Sequence, residues 1–328
     1  MQISPFITIG ITTYNRKQML LDCINSILSQ SFSDFEVLIG NDYVGEPLSL
    51  RELGVVDPRV RLVNHSANLG EFDNMQYLLE HSRGEYFTWM ADDDAYHPSF
   101  IRVAHDAFQS NRALDVVFTN FWSSDVMESI PHVDLTSVVV EGLSVGQFLE
   151  RYLTRQLSLI GCYGVFRTNF VKKLGGMRRA GTGFGPYSDN LLGIKAAGLG
   201  RVAYIDLPLI FYRIHGTSQS CYSDSIEAYT SAHSDLAQEF DAIAKQHFHR
   251  QAHARLKFYL LIWFIRDLAA VWGRSRNNLN PRQVLRFTNM VIDGYISQLP
   301  FIKYKMRLAV VAGREIFMLA KQGIRRLL

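Results

Sequence analysis

The chain has few cysteines, no long hydrophobic run and little net charge, and each absence argues against a class of protein. The three cysteines, Cys23, Cys162 and Cys221, are odd in number and share no metal-ligand spacing, which argues against a disulfide framework and a zinc site. The longest apolar run, residues 258–265, is far shorter than the roughly 20 residues of a membrane-spanning helix. Residues 1–5 lack the basic stretch and apolar core of an export signal. We therefore expect a cytoplasmic protein that does not cross the membrane.

The small net charge of +3 conceals an uneven distribution along the chain. Residues 251–328 contain 14 lysine and arginine residues against 3 acidic residues, whereas residues 1–250 contain 20 against 28. With 48% hydrophobic residues, a chain of 328 residues can bury a large core. We therefore predict two parts, an α/β domain over residues 1–222 and a basic helical region over residues 223–328.

The first part alternates strand-like and helix-like segments, which favours an α/β fold with a largely parallel sheet. The pattern predicts strands at residues 6–12, 35–40, 60–63 and 85–90, and helices at residues 18–29 and 72–82. In such a sheet, ligands bind outside the carboxyl ends of the strands. The polar segments that follow these strands should therefore meet at one edge of the sheet.

Three consecutive aspartates, residues 92–94, directly follow the last of these strands. Like charges this close repel one another unless a cation or hydrogen-bond donors neutralise them. Taken alone, such a triplet is more often a solvated turn. Two further polar segments, residues 12–16 and residues 41–42, end neighbouring strands, and they favour a ligand-binding site over a solvated turn. Three converging polar loops indicate a site for a metal ion and phosphate.

The two other polar segments carry side chains that suit a nucleotide. Residues 12–16 offer hydroxyls, an aromatic face and a cation, and Asp42 can accept hydrogen bonds from a base or a ribose. Ordinary loop chemistry would explain each residue alone, with Asn15 capping the following helix and Asp42 making a turn. Their convergence on one sheet edge favours the nucleotide.

The order and spacing of these segments resemble the inverting family-2 glycosyltransferases of GT-A fold, over about residues 5–220. The matching motifs are IGITTYNR at 9–16, EVLIGND at 36–42, NLG at 68–70, GEYFTWMADDD at 84–94, GG at 175–176, SD at 188–189, IDLPL at 205–209 and YRIHGTS at 212–218. No single motif is specific, whereas the series is. The resemblance implies a Rossmann-like nucleotide-diphospho-sugar transferase domain, followed here by a helical extension.

The resemblance implies that a nucleotide-sugar binds with its diphosphate on a divalent cation, Mn²⁺ or Mg²⁺, held by the DxD-like aspartates. The implied metal ligands are Asp93, Asp94 and His215, although His215 could equally pack at the end of a strand. The implied donor-binding residues are Thr12, Thr13, Tyr14, Asn15, Arg16, Asp42, Asn68, Asp92, Arg213 and Ser218. The chain departs from the family pattern at Ala91, where relatives often have another aspartate.

The resemblance also implies a catalytic base, Asp189, which takes the proton from the acceptor hydroxyl in a single inverting displacement. The family has an acidic pair at this position, and Ser188 replaces its first member here. The alternative role of Asp189 is an N-cap of the helix predicted at residues 191–198, and the two roles can coexist. The glycine-rich residues 181–185 follow no clear strand, so we predict a flexible loop on the acceptor side.

A basic stripe runs along the last predicted helix, formed by Lys303, Arg307, Arg314, Lys321 and Arg325. Such a helix is typical of a membrane-surface segment, and the alternative is the solvated face of a helix packed on the rest of the protein. The excess of basic residues in this region favours an anionic membrane. No nucleic-acid-binding module is visible, so we expect no nucleic acid partner.

Together these features predict a peripheral glycosyltransferase on the inner face of the plasma membrane. The expected donor is UDP-linked, because Asp42 suits uracil, and the expected acceptor is a glycan or lipid-linked saccharide in surface polysaccharide assembly. Two other functions remain open. A non-catalytic scaffold would bind a nucleotide-sugar without transferring it, and a sugar nucleotidyltransferase would release pyrophosphate from a nucleoside triphosphate.

Overall fold

A computed structural model of the chain describes residues 4–126, 131–216 and 225–274, together with Arg314. The strands are β1 Ile7–Thr13, β2 Phe35–Asn41, β3 Val60–Asn64, β4 Tyr86–Ala91, β5 Ala95–Tyr96, β6 Val116–Ser124, β7 Glu141–Leu143, β8 Val165–Arg167 and β9 Val202–Arg213. The helices are α1 Lys17–Leu28, α2 Glu71–Glu80, α3 Phe100–Ser110, α4 Val145–Leu153, α5 Thr168–Leu174, α6 Ser188–Leu199, α7 Ile226–His247 and α8 Arg250–Arg274, with a 3-10 turn at Gly161–Tyr163. Ser218 and the predicted basic helix, apart from Arg314, lie outside the described residues.

The strands form one mixed sheet in the order β3-β2-β1-β4-β8-β6-β9-β5, and β7 pairs with β9. Strand β1 lies parallel to both β2 and β4, with Ile7 opposite Phe35 and Tyr86, and β3 lies parallel to β2. Strand β8 is antiparallel to β4 and β6, and β5 is antiparallel to β9. The predicted α/β architecture is therefore confirmed, with parallel pairing among β1 to β4 and between β6 and β9.

The parallel strands are buried on both faces, which explains their continuous apolar sequences. Every residue of β2 is buried, as are all but one residue of β1 and of β4. Helix α1 covers the sheet with Leu20, Cys23, Ile24 and Ile27. The structure agrees within two residues with each strand and helix predicted up to residue 91.

Helix α2 approaches the sheet closely at Gly40 of β2. The buried Asn74 side chain donates from Nδ2 to the Gly40 carbonyl at 2.9 Å, and its Oδ1 lies 3.0 Å from His65 Nε2. A Cβ atom on residue 40 would lie 2.1 Å from Asn74 Oδ1. Glycine at this position therefore lets the helix amide bind the strand backbone, directly before the polar residues that end β2.

The chain divides into two compact units. The first comprises Met1–Phe148, Leu157–Arg178 and Ser188–Gly216, and it contains the whole sheet. The second comprises Leu149–Gln156, Arg179–Tyr187 and the described residues after 216. The boundary predicted at residue 222 is close to the division after Gly216, but the second unit also includes two earlier segments.

The second unit contains helices α7 and α8 and the glycine-rich segment at residues 181–185. The backbone N–H groups of Gly181 and Thr182 donate to Asp235 at 2.7 Å and to Ser231 Oγ at 2.8 Å on α7. The segment is thus hydrogen-bonded to α7, which supplies acceptors that local sequence could not reveal. None of the described helices combines the length and apolarity needed to cross a membrane.

Candidate functional site

The three aspartates lie in a loop at the carboxyl end of β4, and their side chains are buried. Asp92, Asp93 and Asp94 are only 0%, 9% and 1% exposed. Carboxylates at this depth need partners, because burial disfavours the charged form. The loop is therefore not a solvated turn, and its neighbours determine what it can do.

Arg16 and Thr13 hold the first aspartate. Arg16 Nη2 lies 2.7 Å from Asp92 Oδ1, and Thr13 Oγ1 donates to Asp92 Oδ2 at 2.6 Å. Burial raises the pKa of Asp92 to about 6, and Arg16 and Thr13 oppose that rise. The contact follows from the sheet register, which places Thr12 of β1 beside Ala91 of β4 and so brings the two loops together.

The second aspartate lies between a guanidinium and an imidazole. Asp93 Oδ2 accepts from Arg16 Nη1 at 2.7 Å and lies 2.8 Å from His215 Nε2. The Arg213 Nε–H group donates to the Asp93 carbonyl at 2.7 Å. Both His215 and Arg213 come from the end of β9, more than a hundred residues along the chain. The structure therefore brings together the predicted ligands Asp93 and His215.

Both carboxylate oxygens of the third aspartate accept hydrogen bonds from the protein. The Arg213 backbone N–H group donates to Asp94 Oδ1 at 2.8 Å, and the Tyr163 hydroxyl donates to Oδ2. Burial, followed by the charge of Asp93, raises the pKa of Asp94 to about 7. Asp94 is thus tied into the loop's own framework. No local pattern marks Tyr163, so sequence reasoning missed it.

The predicted base, Asp189, lies in the first turn of α6. Its Oδ1 accepts from the backbone N–H group of Cys162 at 2.9 Å. Burial raises the pKa of Asp189, and the hydrogen bonds from Cys162 oppose that rise. A buried carboxylate with a raised pKa is a stronger proton acceptor than an exposed one.

Asp42 anchors a neighbouring loop. Its Oδ1 and Oδ2 accept from the backbone N–H groups of Leu69 and Gly70, each at 2.7 Å. Asn68 Oδ1 also accepts from the Gly70 N–H group, at 2.9 Å. The predicted donor-binding residues Asp42 and Asn68 are therefore together in the structure, and Asp42 holds the loop that contains Asn68.

The loop after β1 presents an exposed aromatic ring. Tyr14 is 49% exposed, and its ring packs edge-to-face on Tyr43 with centroids 5.2 Å apart. Asn15 is exposed with a φ angle of 53°, and helix α1 has no side-chain cap, so the capping alternative for Asn15 is wrong. Thr12 lies at the end of β1 and is half-buried. An exposed ring on the loop that also leads to Arg16 suits a nucleotide base.

The donor atoms around Asp93 suit a divalent cation. Mn²⁺ accepts both carboxylate oxygen and imidazole nitrogen, and Mg²⁺ prefers oxygen. Within the described ranges, no three or more His, Cys, Asp or Glu side chains are grouped to hold a metal ion by themselves. Asp93 and His215 bring one carboxylate and one imidazole together, and Arg16 lies on the same Asp93 oxygen.

Comparison with known proteins relates the chain to sugar transferases. Glycosyl transferase family 2 matches residues 8–175. WcaA of Escherichia coli K12, named for colanic acid biosynthesis, is 30% identical over 105 residues, which are 31% of this chain and 38% of WcaA. The uncharacterized glycosyltransferase EpsJ of Bacillus subtilis 168 is 31% identical over 134 residues, 39% of this chain and 38% of EpsJ. These alignments span little more than a third of each relative.

Two solved structures have the same fold at low sequence identity. The Staphylococcus aureus protein TarS, residues 1–349 in complex with UDP, has a TM-score of 0.65 at 14% identity, covering 97% of this chain and 90% of TarS. The mannosyltransferase PcManGT of Pyrobaculum calidifontis, in complex with GDP-Man and Mn²⁺, has a TM-score of 0.52 at 14% identity, covering 98% of this chain and 88% of PcManGT. The family match ends before Asp189 and His215, so the roles of these two residues depend on their geometry.

Proposed function

The chain belongs to glycosyl transferase family 2, and on that premise we propose that it transfers a sugar from a nucleotide-sugar donor to a glycan or lipid-linked acceptor. The family and its GT-A fold, both predicted from the sequence, are confirmed. The observation that carries the proposal is the buried aspartate loop, where Asp93 lies against both Arg16 and His215. Acidic, basic and imidazole groups at the carboxyl edge of a parallel sheet suit a diphosphate with its cation.

In this proposal Asp93 and His215 hold the cation, and Asp92 and Asp94 position the loop. Mn²⁺ or Mg²⁺ would supply positive charge to stabilise the departing nucleoside diphosphate. Asp94 takes the supporting role because Tyr163 and Arg213 already occupy its two oxygens. Arg16 and Arg213 add positive charge beside the same loop.

We propose Asp189 as the base of an inverting transfer. It is the buried carboxylate in the first turn of α6, outside the loop of the aspartate triplet, and it accepts one backbone N–H group. A carboxylate held this way can take the acceptor's proton as the hydroxyl attacks the anomeric carbon. No covalent intermediate is needed, and Cys162 is buried with a raised thiol pKa, so it is a poor nucleophile.

The donor nucleotide is proposed to be UDP, with GDP as the competitor. A TarS structure contains UDP-GlcNAc, and PcManGT contains GDP-Man with Mn²⁺. Tyr14 and Asn68 are the candidates for contact with the nucleoside, because both carboxylate oxygens of Asp42 already accept hydrogen bonds from the loop that carries Asn68. The acceptor is proposed to belong to surface polysaccharide assembly, as the name of WcaA suggests for that relative. A peripheral position on the inner face of the plasma membrane remains part of the proposal, carried by the basic residues after 250.

The test is a screen of UDP- and GDP-sugars with Mn²⁺ and a mixed acceptor pool, reading nucleoside diphosphate release. Chelation by EDTA should abolish release, and Mn²⁺ should restore it. Asp189→Asn should lower turnover by about 10²–10⁴, the usual contribution of a general base. Asp134→Asn is the matched control, because Asp134 is exposed and far along the sequence from every proposed site residue.

The same screen distinguishes the two other functions. Nucleotide-sugar binding without transfer or hydrolysis, in the wild-type protein and in Asp189→Asn alike, would establish the scaffold. Pyrophosphate release from UTP or GTP and a sugar phosphate would establish the nucleotidyltransferase. Turnover that survives in Asp189→Asn would remove Asp189 from the mechanism without removing the transferase.

A further inference from the structure

The short 3-10 turn Gly161–Tyr163 contacts both carboxylate centres of the proposed reaction. Tyr163 donates its hydroxyl to Asp94 of the aspartate loop, and the next residue back, Cys162, donates its backbone N–H group to Asp189 of α6. Neighbouring residues of one turn thus hold two carboxylates that lie 95 positions apart in the sequence. Consecutive Cα atoms are only about 3.8 Å apart, so the turn leaves little freedom between its two attachments.

Tyr163 makes two hydrogen bonds to the aspartate loop. Its hydroxyl donates to Asp94 Oδ2 and accepts from the Ala91 backbone N–H group at 3.2 Å. The side chain is 4% exposed, so water cannot easily replace either bond. One phenol oxygen therefore joins the end of β4 to the last aspartate, which fixes the path of the loop between them.

The other end of the turn packs directly on the backbone of α6. A Cβ atom on Gly161 would lie 2.0 Å from the Asp189 carbonyl oxygen and 2.7 Å from its carbonyl carbon. Because the obstructing atoms are backbone, they cannot move without shifting the first turn of the helix. Glycine therefore allows the approach that brings the Cys162 N–H group to the Asp189 carboxylate.

We propose that the Gly161–Tyr163 turn is a positioning element that sets the aspartate loop and Asp189 at a defined separation. Tyr163 and Gly161 are its two positioning residues. The inference rests on the proposed function for the roles of the two carboxylates. The purpose of the spacing follows from the chemistry, because the leaving group and the attacking hydroxyl lie on opposite faces of the sugar in an inverting transfer.

The first experiment removes the Tyr163 hydroxyl and keeps its ring. In Tyr163→Phe, amide hydrogen exchange in peptides covering residues 86–96 should rise about tenfold, because the variant loses the hydrogen bonds of the hydroxyl to both Ala91 and Asp94. The Kd for UDP with Mn²⁺, or for GDP with Mn²⁺ if that binds the wild type, should rise about tenfold for the same reason. Exchange at residues 186–194 should not change.

The matched control is Tyr204→Phe. Tyr204 is also buried, and its hydroxyl makes hydrogen bonds of 3.3 Å to the Ser158 carbonyl and 3.2 Å to Asp206. It should change neither the exchange of residues 86–96 nor the nucleotide Kd. A melting temperature for each variant separates a local effect from general loss of the fold.

The second experiment disturbs the Asp189 end. Gly161→Ala should lower kcat about a hundredfold, the scale expected for a misplacement of about 1 Å, and leave the nucleotide Kd within about twofold. Gly142→Ala is its control, because no atom lies within 4 Å of the added Cβ there. If Gly161→Ala does not fold, Asp189→Ala should raise exchange at residues 186–194, whereas Asp189→Asn, which keeps an oxygen for the Cys162 N–H group, should not.

The outcomes separate this inference from the proposed function. If Tyr163→Phe behaves like Tyr204→Phe in exchange and in nucleotide Kd, the turn does not position the loop and the inference fails, even if the protein is an active transferase. If Gly161→Ala weakens nucleotide binding as much as Tyr163→Phe does, the two ends are not separate and the inference also fails. If the wild type turns over no nucleotide-sugar, the proposed function fails, but the exchange of residues 86–96 and 186–194 still decides whether the turn holds both segments.

Discussion

Replacement of Asp42 tests whether this residue stabilises a loop or contacts the nucleotide. Sequence alone predicts that Asp42 binds a base or a ribose. In the structure, both of its oxygens accept backbone N–H groups at 2.7 Å, from Leu69 and Gly70, and the side chain is 4% exposed. We therefore expect Asp42→Ala to destabilise the protein before it affects any ligand.

The expected loss of stability in Asp42→Ala follows from its two hydrogen bonds to backbone N–H groups. A hydrogen bond to a charged group contributes about 1.5–3 kcal/mol, and the lower value applies here because Leu69 lies at the surface, where water can reach a released N–H group. Asp42→Ala should thus lower the free energy of unfolding by about 3 kcal/mol, a large part of the roughly 5–15 kcal/mol of an ordinary domain. Asp42→Asn keeps one acceptor and should lose about half as much.

The assay is urea denaturation of both variants, together with isothermal titration of UDP in the presence of Mn²⁺. Asp134→Asn is the control, because Asp134 also accepts a backbone N–H group but lies fully at the surface, so its replacement should change unfolding little. Unchanged unfolding of Asp42→Ala, combined with a large loss of UDP affinity, would refute the anchoring role. That result would support the nucleotide contact predicted from the sequence.

Three further predictions concern acid stability, packing and the pH dependence of turnover. His233 is buried against Phe264, with ring centroids 4.1 Å apart, and burial lowers its pKa from 6.5 to about 3. Its contribution to the free energy of unfolding is therefore complete above pH 6.5 and is lost as the pH falls from 6.5 towards 3. Between pH 7.5 and pH 5, His233→Phe should lose about 2 kcal/mol less of its free energy of unfolding than the wild type does, measured by urea denaturation at both pH values. Gly40→Ala should displace the Asn74 amide and lower the free energy of unfolding by about 1–3 kcal/mol, and an unchanged urea midpoint would contradict the close packing of α2 on β2. Because burial raises the pKa of Asp189, turnover should fall with decreasing pH at a midpoint above the ordinary 3.8, and the pH–rate profile of residual activity in Asp189→Asn should lack that acid limb.

Strands β1 to β4 were predictable because their signals are local. Strands β1, β2 and β4 are runs of bulky buried residues, and each ends at a polar segment. Strands β5 and β8 have only two and three residues, too few for any periodic pattern. Strand β9 contains Pro208, and its pairing with β6 shifts register at that point.

The candidate site likewise contains residues that the sequence could identify and residues that it could not. The aspartate triplet could be selected from the sequence by residue type and position, and Asp189 by the family resemblance. Tyr163 and the Cys162 backbone N–H group could not, because their segment has no recognisable pattern and a backbone donor leaves no trace in the sequence. The metal and donor roles of Asp93, His215, Tyr14 and Arg213 remain predictions.

The sequence by itself determined the family, the fold class and the positions where carboxylates interrupt strands, because strand periodicity and the residues that end each strand are local properties. Only the tertiary structure decided which groups meet. His215 lies against Asp93 across 122 positions, Tyr163 against Asp94 across 69, and Cys162 against Asp189 across 27. Such partners are set by the order of strands in the sheet and by close backbone packing, as at Gly161. A single sequence records neither, because a hydrogen bond between distant segments requires only a donor and an acceptor, and almost every residue has both.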